Sequence, residues 1–326
     1  MYSSGRRVRF LKPKSLAAAR RCGALLINEG RMKHHFGDLL DRGGDYWTVV
    51  PNRERYVHRV DTVPAGSKQV TIATIGSEDT LWRNVFTFPN LEELTLHSPS
   101  KEQLLAIAEL SLLKRLRITH ARPKEITFIS PLLQLEELVL EYVSGFSDLS
   151  PLRSLPKLKS LHVENLRRVA DFGGLAGIAS LRYLRIDGTL DWKQPIADFE
   201  FLRGLPNLEV LSFGQIICKI PYPALLPALT LKKLKRLELT WNMLAAEEYA
   251  MLEAGLLEVD GASWGPFTRF EYSQDEEWFE FTGKGAGRAK CGHPKAEQKC
   301  AEYAMKYEEM KASAKHIISD LPHASH

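Results

Sequence analysis

A six-position pattern of apolar and polar residues, Leu-x-x-Leu-x-Leu with conservative replacements, recurs through the middle of the chain. Its seven copies lie at steps of 22, 22, 23, 23, 27 and 26 residues and begin at Leu91, Leu113, Leu135, Leu158, Leu181, Leu208 and Leu234. The last three positions alternate apolar, polar and apolar, which predicts a short strand with one buried side. One unit is too small to bury its own leucines, so the recurrence predicts stacked units that share a parallel sheet.

The spacing and the leucine positions resemble the leucine-rich repeat family over roughly residues 70–264. Residues 146–158 (FSDLSPLRSLPKL) resemble the internalin and phosphatase-regulator subtype of bacterial style, which has units of about 22 residues. Related segments occur at 129–135, 171–181 and 201–208. The resemblance implies an α/β solenoid: a curved leucine-rich repeat rod with a parallel β-sheet on its concave face and return segments on its convex face.

The chain departs from the family at one recurring position. Leucine-rich repeats of this family usually carry an asparagine three residues after the last strand leucine, where its side chain bonds backbone groups along the stack. Only Asn242, in the last copy, fits this rule. The other copies carry Pro99, Ala121, Val143, Leu166, Thr189 and Ile216. We therefore expect the asparagine ladder to be mostly absent.

Three regions are expected along the chain. They are a basic N-terminal capping subdomain at 1–68, the repeats at 69–264 and a C-terminal cap at 265–326. The repeat region adds one or two irregular units to the seven clear copies, because residues 69–75 (QVTIATI) predict an earlier strand. Leu257 and Val259 predict a shortened eighth strand at the other end.

The predicted C-terminal cap contains a hairpin, a loop and a helix. Aromatic alternating runs at 267–272 and 278–282 predict a β-hairpin that closes the apolar end of the rod. A basic glycine-rich stretch at 282–290 is interpreted as a flexible connector. A helix begins near Pro294, and its apolar stripe contains Ala296, Cys300, Tyr303, Tyr307, Met310, Ala314 and Ile317. The stripe either packs on the cap or binds a partner or a second copy.

Composition narrows the class of protein and its compartment. The 326 residues are 44% hydrophobic and carry a formal charge of +4, which favours a globular protein and gives no overall sign of polyanion binding. The four cysteines lie far apart except for the last pair, Cys291 and Cys300, which favours reduced thiols and a cytoplasmic location over a disulfide framework. No window of about 18 uncharged apolar residues occurs, so no membrane span is expected.

Candidates for chemistry are few. Cys291, His293 and Cys300 are suitable donor types for zinc but only weak candidates, because a structural site needs four ligands. The glycines at 283–288 lack the strand-to-helix context of a phosphate-binding loop. No catalytic triad or paired-carboxylate spacing stands out. We expect no metal, no cofactor, no small-molecule substrate and no enzymatic activity, with an unrecognised catalytic site as an alternative.

The strand register predicts which side chains lie on the concave face. The candidate contact residues are Arg115, Arg117, His162, Tyr183 and Arg185 on the strands and Trp241 just after the last strand. In one interpretation they bind a protein, because Tyr and Arg are frequent at the energetic centre of protein interfaces. In the other, arginines and glutamates on neighbouring strands neutralise each other on a solvated face.

The sequence thus predicts a leucine-rich repeat scaffold that binds another protein through its concave face without catalysis. The alternative is association with nucleic acid through the basic N-terminal segment and a C-terminal group of cations. That group contains Lys284, Arg288, Lys290 and Lys295. Acidic residues just before the group argue against this alternative, because they repel a phosphate backbone.

Overall fold

The structure is a computed structural model that describes residues 32–33, 56–273 and 276–320. Most of the predicted N-terminal capping subdomain at 1–68 lies outside the described residues. The strands of the main sheet are β1 (Met32–Lys33), β2 (Tyr56–Arg59), β3 (Ile72–Gly76), β4 (Glu93–His97), β5 (Arg115–Thr119), β6 (Glu137–Glu141), β7 (Ser160–Glu164), β8 (Tyr183–Asp187), β10 (Val210–Phe213) and β12 (Arg236–Leu239). They form one ten-stranded sheet in this order. β1 is antiparallel to β2, and the other neighbours are parallel.

The repeat leucines stack at matching positions from strand to strand. Leu94 of β4 is the register partner of Leu116 of β5, which is the partner of Leu138 of β6, and the series continues to Leu237 of β12. These four side chains are at most 1% exposed. Because side chains alternate along a strand, the residues between the leucines lie on the opposite, concave side. The predicted parallel solenoid and its register are confirmed.

Short helical segments return the chain from one strand to the next. After β4 this segment is the helix α1, Lys101–Ala106, and later units use 3₁₀ turns. Asp148, Asp171 and Asp198 begin three such turns, and each accepts a hydrogen bond from the backbone N–H two residues later, at 2.8, 2.7 and 2.9 Å. An aspartate at this place satisfies a backbone donor that the turn itself leaves open. Two of the three, Asp148 and Asp171, lie in the segments that resemble the internalin subtype.

The two longest repeat steps contain an additional pair of strands. β9 (Gln194–Ile196) and β11 (Ile216–Cys218) pair in parallel outside the main sheet. Gln194 is fully buried, and its side chain connects its repeat to the previous one through hydrogen bonds. Its Oε1 accepts a hydrogen bond from the backbone N–H of Leu166 at 2.8 Å, and its Nε2 donates to the carbonyl of Val169 at 2.7 Å.

Apolar packing replaces the asparagine ladder in the middle repeats. Ala121, Val143 and Leu166 occupy the ladder position and are at most 2% exposed. Such side chains cannot bond the backbone, so neighbouring units are joined at this position by buried apolar area instead. The glutamine amide at Gln194 supplies the polar contacts at one of these positions.

The end of the repeat region differs from the prediction. A helix, α2 (Ala246–Gly255), follows the last repeat. The prediction of a shortened eighth strand around Leu257 and Val259 is wrong. Only a single parallel bridge, between Arg236 and Asp260, is formed there. Leu257 is 84% exposed, so it does not fill the inward position that a strand leucine occupies.

The predicted hairpin is present and is part of a larger sheet. β13 (Phe267–Ser273) and β14 (Glu276–Phe281) are antiparallel, and β15 (Arg288–Lys290) pairs with β14 as a third strand. The glycine-rich stretch at 282–290 is therefore not simply a flexible connector. Ala289 anchors it, because this side chain is 5% exposed and belongs to the same buried cluster as Phe281.

The C-terminal helix α3 (Ala296–Ser319) packs on the cap through the predicted apolar stripe. Tyr307 and Ala314 are fully buried, and α3 lies against α2. Glu253 of α2 accepts hydrogen bonds from the Tyr307 hydroxyl at 3.2 Å and from Nζ of Lys311 at 3.0 Å. The docking interpretation of the stripe is therefore the one that the structure supports. No helix in the described ranges has the length and apolarity needed to cross a bilayer.

Candidate binding face

The concave face presents three columns of side chains, of which the first two take one residue from each of β4 to β8, β10 and β12, and the third takes one from each of β4 to β8. Cross-strand neighbours within a column are about 4.8 Å apart. The first column is Glu93, Arg115, Glu137, Ser160, Tyr183, Val210 and Arg236; the second is Thr95, Arg117, Val139, His162, Arg185, Ser212 and Glu238; the third is His97, Thr119, Glu141, Glu164 and Asp187. Five of the six predicted contact residues therefore share this face, and the sixth, Trp241, follows β12.

The predicted arginines on this face pair with carboxylates. The pairs are Arg115 with Glu93 (Nε to Oε2, 2.7 Å), Arg117 with Glu141 (Nε to Oε2, 2.9 Å) and Arg185 with Asp187 (Nη2 to Oδ2, 2.5 Å). The Arg117 and Glu141 side chains are only 11% and 13% exposed. Burial lowers the pKa of Arg117 to about 10 against the opposing effect of Glu141, so the guanidinium stays charged at neutral pH. Arg115 and Arg117 thus pair with glutamates of neighbouring strands, as the second interpretation predicts, but Arg117 and Glu141 are largely buried rather than solvated.

The predicted contact residues differ in accessibility. Tyr183 is 1% exposed and His162 is 6% exposed, so both pack into the face. The side chains of Arg185 and Arg115 are 28% and 18% exposed. Trp241 is half-buried, and its Nε1 has no hydrogen-bond partner among the described residues. A partner that approached this arrangement would reach Arg185, Arg115 and the Trp241 ring before the other three.

A row of three aromatic rings in contact at the carboxyl edge of the sheet was not predicted from the sequence. We call His97, His120 and Tyr142 the aromatic row. The ring centroids of His97 and His120 are 5.4 Å apart, and those of His120 and Tyr142 are 4.8 Å apart with planes at 7°. His120 and Tyr142 follow β5 and β6 with φ of 55° and 54°, and Tyr142 is 41% exposed. Their 22-residue separation, equal to the repeat step, is the signal that predicts the stack.

Positive charge and a cleft accompany the aromatic row. The cleft has a volume of about 260 Å³ and is lined by His120, Arg122, Tyr142, Ser144, Asn165 and Arg167. Both arginines are exposed. The Arg167 guanidinium also lies 6.0 Å from the ring centroid of Trp192. An exposed aromatic ring beside guanidinium groups suits contact with a partner that offers apolar and acidic side chains.

A group of three potential ligands lies in the second and third columns. The ligand atoms of Glu141, His162 and Glu164 are all within 4.8 Å of one another, and His162 Nε2 is 4.0 Å from Oε2 of Glu164. Burial lowers the pKa of His162 well below its usual value, and Arg185 and Arg117 add to this effect. Burial raises the pKa of Glu164 to about 7, with repulsion from Glu141 and Asp187. The face therefore holds a neutral imidazole beside crowded carboxyl groups.

Comparison with known proteins gives a likeness at the level of fold. No protein-family model matches the sequence, and no curated protein matches it. Internalin C2 from Listeria monocytogenes is similar at 24% identity and a TM-score of 0.40, over 56% of this chain and 74% of that one. A leucine-rich repeat protein of Leptospira interrogans matches at 16% identity and a TM-score of 0.33, over 52% of this chain and 49% of that one. The plant peptide hormone receptor RGFR1, solved in complex with RGF2, matches at 17% identity and a TM-score of 0.36, over 64% and 37%.

The deciding observation is in the chain itself. Seven copies of one leucine pattern form successive parallel strands in matching register, with return segments on the opposite side. The chain folds as a leucine-rich repeat solenoid.

The three weak candidates for zinc ligands, Cys291, His293 and Cys300, lie in the C-terminal cap. Cys300 is buried on α3, and its pKa is raised by burial and then by the nearby Cys291. His293 is exposed, and its Nδ1 accepts a hydrogen bond from the backbone N–H of Lys295 at 3.2 Å. Within the described ranges, only the group in the concave face brings three such ligand atoms together. The structure does not gather Cys291, His293 and Cys300 in this way.

Proposed function

We propose that this leucine-rich repeat protein is a non-catalytic scaffold that binds another protein through its concave face and the adjoining aromatic row. The observation that carries the proposal is the exposed ring of Tyr142, stacked on His120 at 4.8 Å beside the cleft. Stacking holds the ring in place, so little conformational freedom is lost when a partner packs on it. Rigid, accessible aromatic side chains are frequent at the energetic centre of interfaces.

The candidate residues take different parts in this proposal. Arg115, Arg185 and Trp241 are accessible and would contact the partner directly. Arg117 is held by Glu141, so it would shape the local charge rather than supply the main contact. Tyr183 and His162 support the face from within because of their burial. The partner segment that fits has an apolar or aromatic side chain for Tyr142 and acidic groups for Arg122 and Arg167.

The compartment proposed is the cytoplasm. Cys218, Cys291 and Cys300 are free thiols. Thiols of this kind persist where glutathione and thioredoxin keep cysteines reduced. Determining the thiol content of the protein freshly isolated from its source checks this assignment, because a disulfide that involves these residues would contradict it.

The proposal is tested by capture of partners from a lysate of the source organism with the tagged full chain. Capture at about 0.1 M and 0.5 M salt, with and without nuclease, separates protein partners from nucleic acid. We expect a discrete protein that is retained in every condition. Tyr142→Ala should then weaken its binding by about 2 kcal/mol.

Leu112→Ala is the matched control for the capture, since Leu112 is 70% exposed and precedes β5 at the opposite edge of the sheet. Equal binding by both variants would contradict a role for the aromatic row. Loss of the captured material with nuclease or with salt would instead favour nucleic acid. Within the C-terminal cations, Lys290 already pairs with Glu276 at 2.9 Å, which weakens that alternative.

A further inference from the structure

The strand register brings two carboxylates and an imidazole together on the concave face. Glu141 of β6 and Glu164 of β7 are direct cross-strand neighbours, and His162 lies two residues before Glu164 on the same side of its strand. Their ligand atoms lie within 4.8 Å of one another. Ligands of a tetrahedral zinc ion at about 2.0 to 2.2 Å from the metal are roughly 3.4 Å apart. Small side-chain rotations therefore suffice to bring the three donors around one cation.

His162 provides a second, independent observation in favour of a ligand site here. The residue is 6% exposed, and neither of its ring nitrogens has a hydrogen-bond partner among the described residues. Buried polar side chains nearly always have such a partner. The nitrogen Nε2 lies 4.0 Å from a carboxylate oxygen of Glu164, too far for a hydrogen bond but a suitable separation for two ligands of one ion.

The group lies among crowded carboxylates, and the nearby guanidinium groups of Arg117 and Arg185 offset part of their charge. Glu141, Glu164 and Asp187 follow one another in the third column, so like charges face each other across strands. Arginines form ion pairs with Glu141 and Asp187. In the part of the chain that the structure describes, Glu164 forms no ion pair with a lysine or arginine, and it interacts instead with the Tyr142 hydroxyl and, at longer range, with Arg185.

Arg117 does not block the group. Its Nε and Nη2 both donate to Oε2 of Glu141, so that the second carboxylate oxygen, Oε1, is left for a cation. This contact would orient the carboxylate, as hydrogen bonds to metal ligands commonly do. The same arginine balances part of the negative charge when the site is empty.

We propose that Glu141, His162 and Glu164 form a binding site for a divalent first-row transition metal, with Zn²⁺ as the best-fitting ion. One nitrogen and two oxygen donors suit such an ion better than Ca²⁺ or Mg²⁺, which prefer oxygen ligands alone. Zn²⁺ should bind more tightly than Mn²⁺, in the usual order of divalent affinities. Three protein ligands leave a position open on the concave face. This proposal does not rest on a protein partner, because Zn²⁺ binding is measured on the chain alone.

Calorimetric titration of the full chain with Zn²⁺, after removal of metal with EDTA, tests the proposal. Thiolates elsewhere also bind zinc, so the titration uses a background with Cys291→Ser and Cys300→Ser. We expect one saturable equivalent that persists in this background. His162→Gln and Glu164→Gln should each weaken Zn²⁺ binding at least about 10-fold. His293→Gln, which alters an exposed histidine of the cap, is the matched control and should leave the affinity unchanged.

Circular dichroism separates loss of the ligand from loss of the fold. Glu164→Gln keeps the size of the side chain at a residue that is not fully buried, so it decides the question if His162→Gln unfolds. Co²⁺ serves as a second probe, because thiolate ligation adds a sulfur charge-transfer absorption that a site of nitrogen and oxygen donors lacks. The proposal is overturned by unchanged Zn²⁺ affinity in Glu164→Gln, by loss of binding in the serine background, or by the absence of a saturable equivalent.

Discussion

The repeat sheet and the C-terminal cap use charged residues in opposite ways. On the sheet, several charge pairs join neighbouring units, as in Arg115 with Glu93, which are 22 residues apart. In the C-terminal cap, taken from here on to include α2, one carboxylate accepts hydrogen bonds from distant parts of the chain. Glu253 accepts hydrogen bonds from Tyr307 and Lys311, which are 54 and 58 residues away.

This difference shows how each region is specified. A contact in the repeats recurs because the same position faces the same neighbour in every unit, so stability accumulates locally along the rod. The cap has no periodicity, and its elements are held by a few contacts that occur once. Glu253 also accepts hydrogen bonds from the backbone N–H groups of Trp264 and Gly265, at 3.2 and 3.0 Å. Loss of this single carboxylate therefore affects several elements together.

The largest expected effect is in the repeats. Leu161→Ala removes a fully buried leucine from β7, in the middle of the stack, and should lower the free energy of unfolding by about 2 to 5 kcal/mol. Urea denaturation measures the loss. Leu190→Ala, at a residue that is 90% exposed, is the control and should change stability by no more than about 0.5 kcal/mol. Similar small losses in both variants would mean that the leucine ladder does not join neighbouring units.

The second largest expected effect is a loss of stability in the cap. Glu253→Gln should lower the free energy of unfolding by about 2 kcal/mol, because hydrogen bonds to a charged acceptor are lost or weakened. Burial raises the pKa of Glu253, but Gly265, Lys311 and Trp264 outweigh it and hold the pKa below its ordinary value of 4.5. A carboxylate with a lowered pKa stabilises the fold above its unfolded-state pKa and loses this contribution as the pH falls through the folded-state pKa.

The stability difference between the wild type and Glu253→Gln should therefore be constant near neutral pH and shrink as the pH falls below about 4.5. Denaturant titrations at several pH values measure it. Glu258→Gln, at an exposed position beyond the same helix, is the matched control. A difference that grows on acidification would show that the sign assigned to the Glu253 shift is incorrect.

The sequence predicted the repeats better than the cap for a physical reason. Leucines such as Leu94 and Leu116 recur because each must fill the same inward position, so their spacing reveals strand, register and face together. α2 was missed because it is buried on most sides: Tyr249, Met251 and Leu252 are fully buried, and no amphipathic stripe marks the helix. β15 was missed because a strand of three residues that follows a glycine-rich stretch carries too little pattern.

The sequence predicted which residues lie on the concave face but not how deeply each side chain is buried. The period of two along a strand placed Arg117, His162 and Tyr183 on the concave face, and the structure places them there. How deeply a side chain lies depends on the curvature of the sheet and on the size of its neighbours, which the sequence pattern does not contain. The roles of these residues in binding stay predictions. The aromatic row is visible in the sequence only when residues outside the leucine pattern are compared at the repeat step.

The smallest expected effect concerns an exposed contact in the repeats. It tests whether the stacked rings of His120 and Tyr142 also couple neighbouring units energetically. In a double-mutant cycle, His120→Ala and Tyr142→Ala should show a coupling energy of about 0.5 to 1 kcal/mol, since the stacked rings are in direct contact. A second cycle between Tyr142→Ala and Leu112→Ala should be additive, because the two residues lie at opposite edges of the sheet. Equal coupling in both cycles would mean that the rings do not stack in solution. Coupling confined to the first cycle would show that the repeat step organises the exposed edge of the rod as well as its buried leucines.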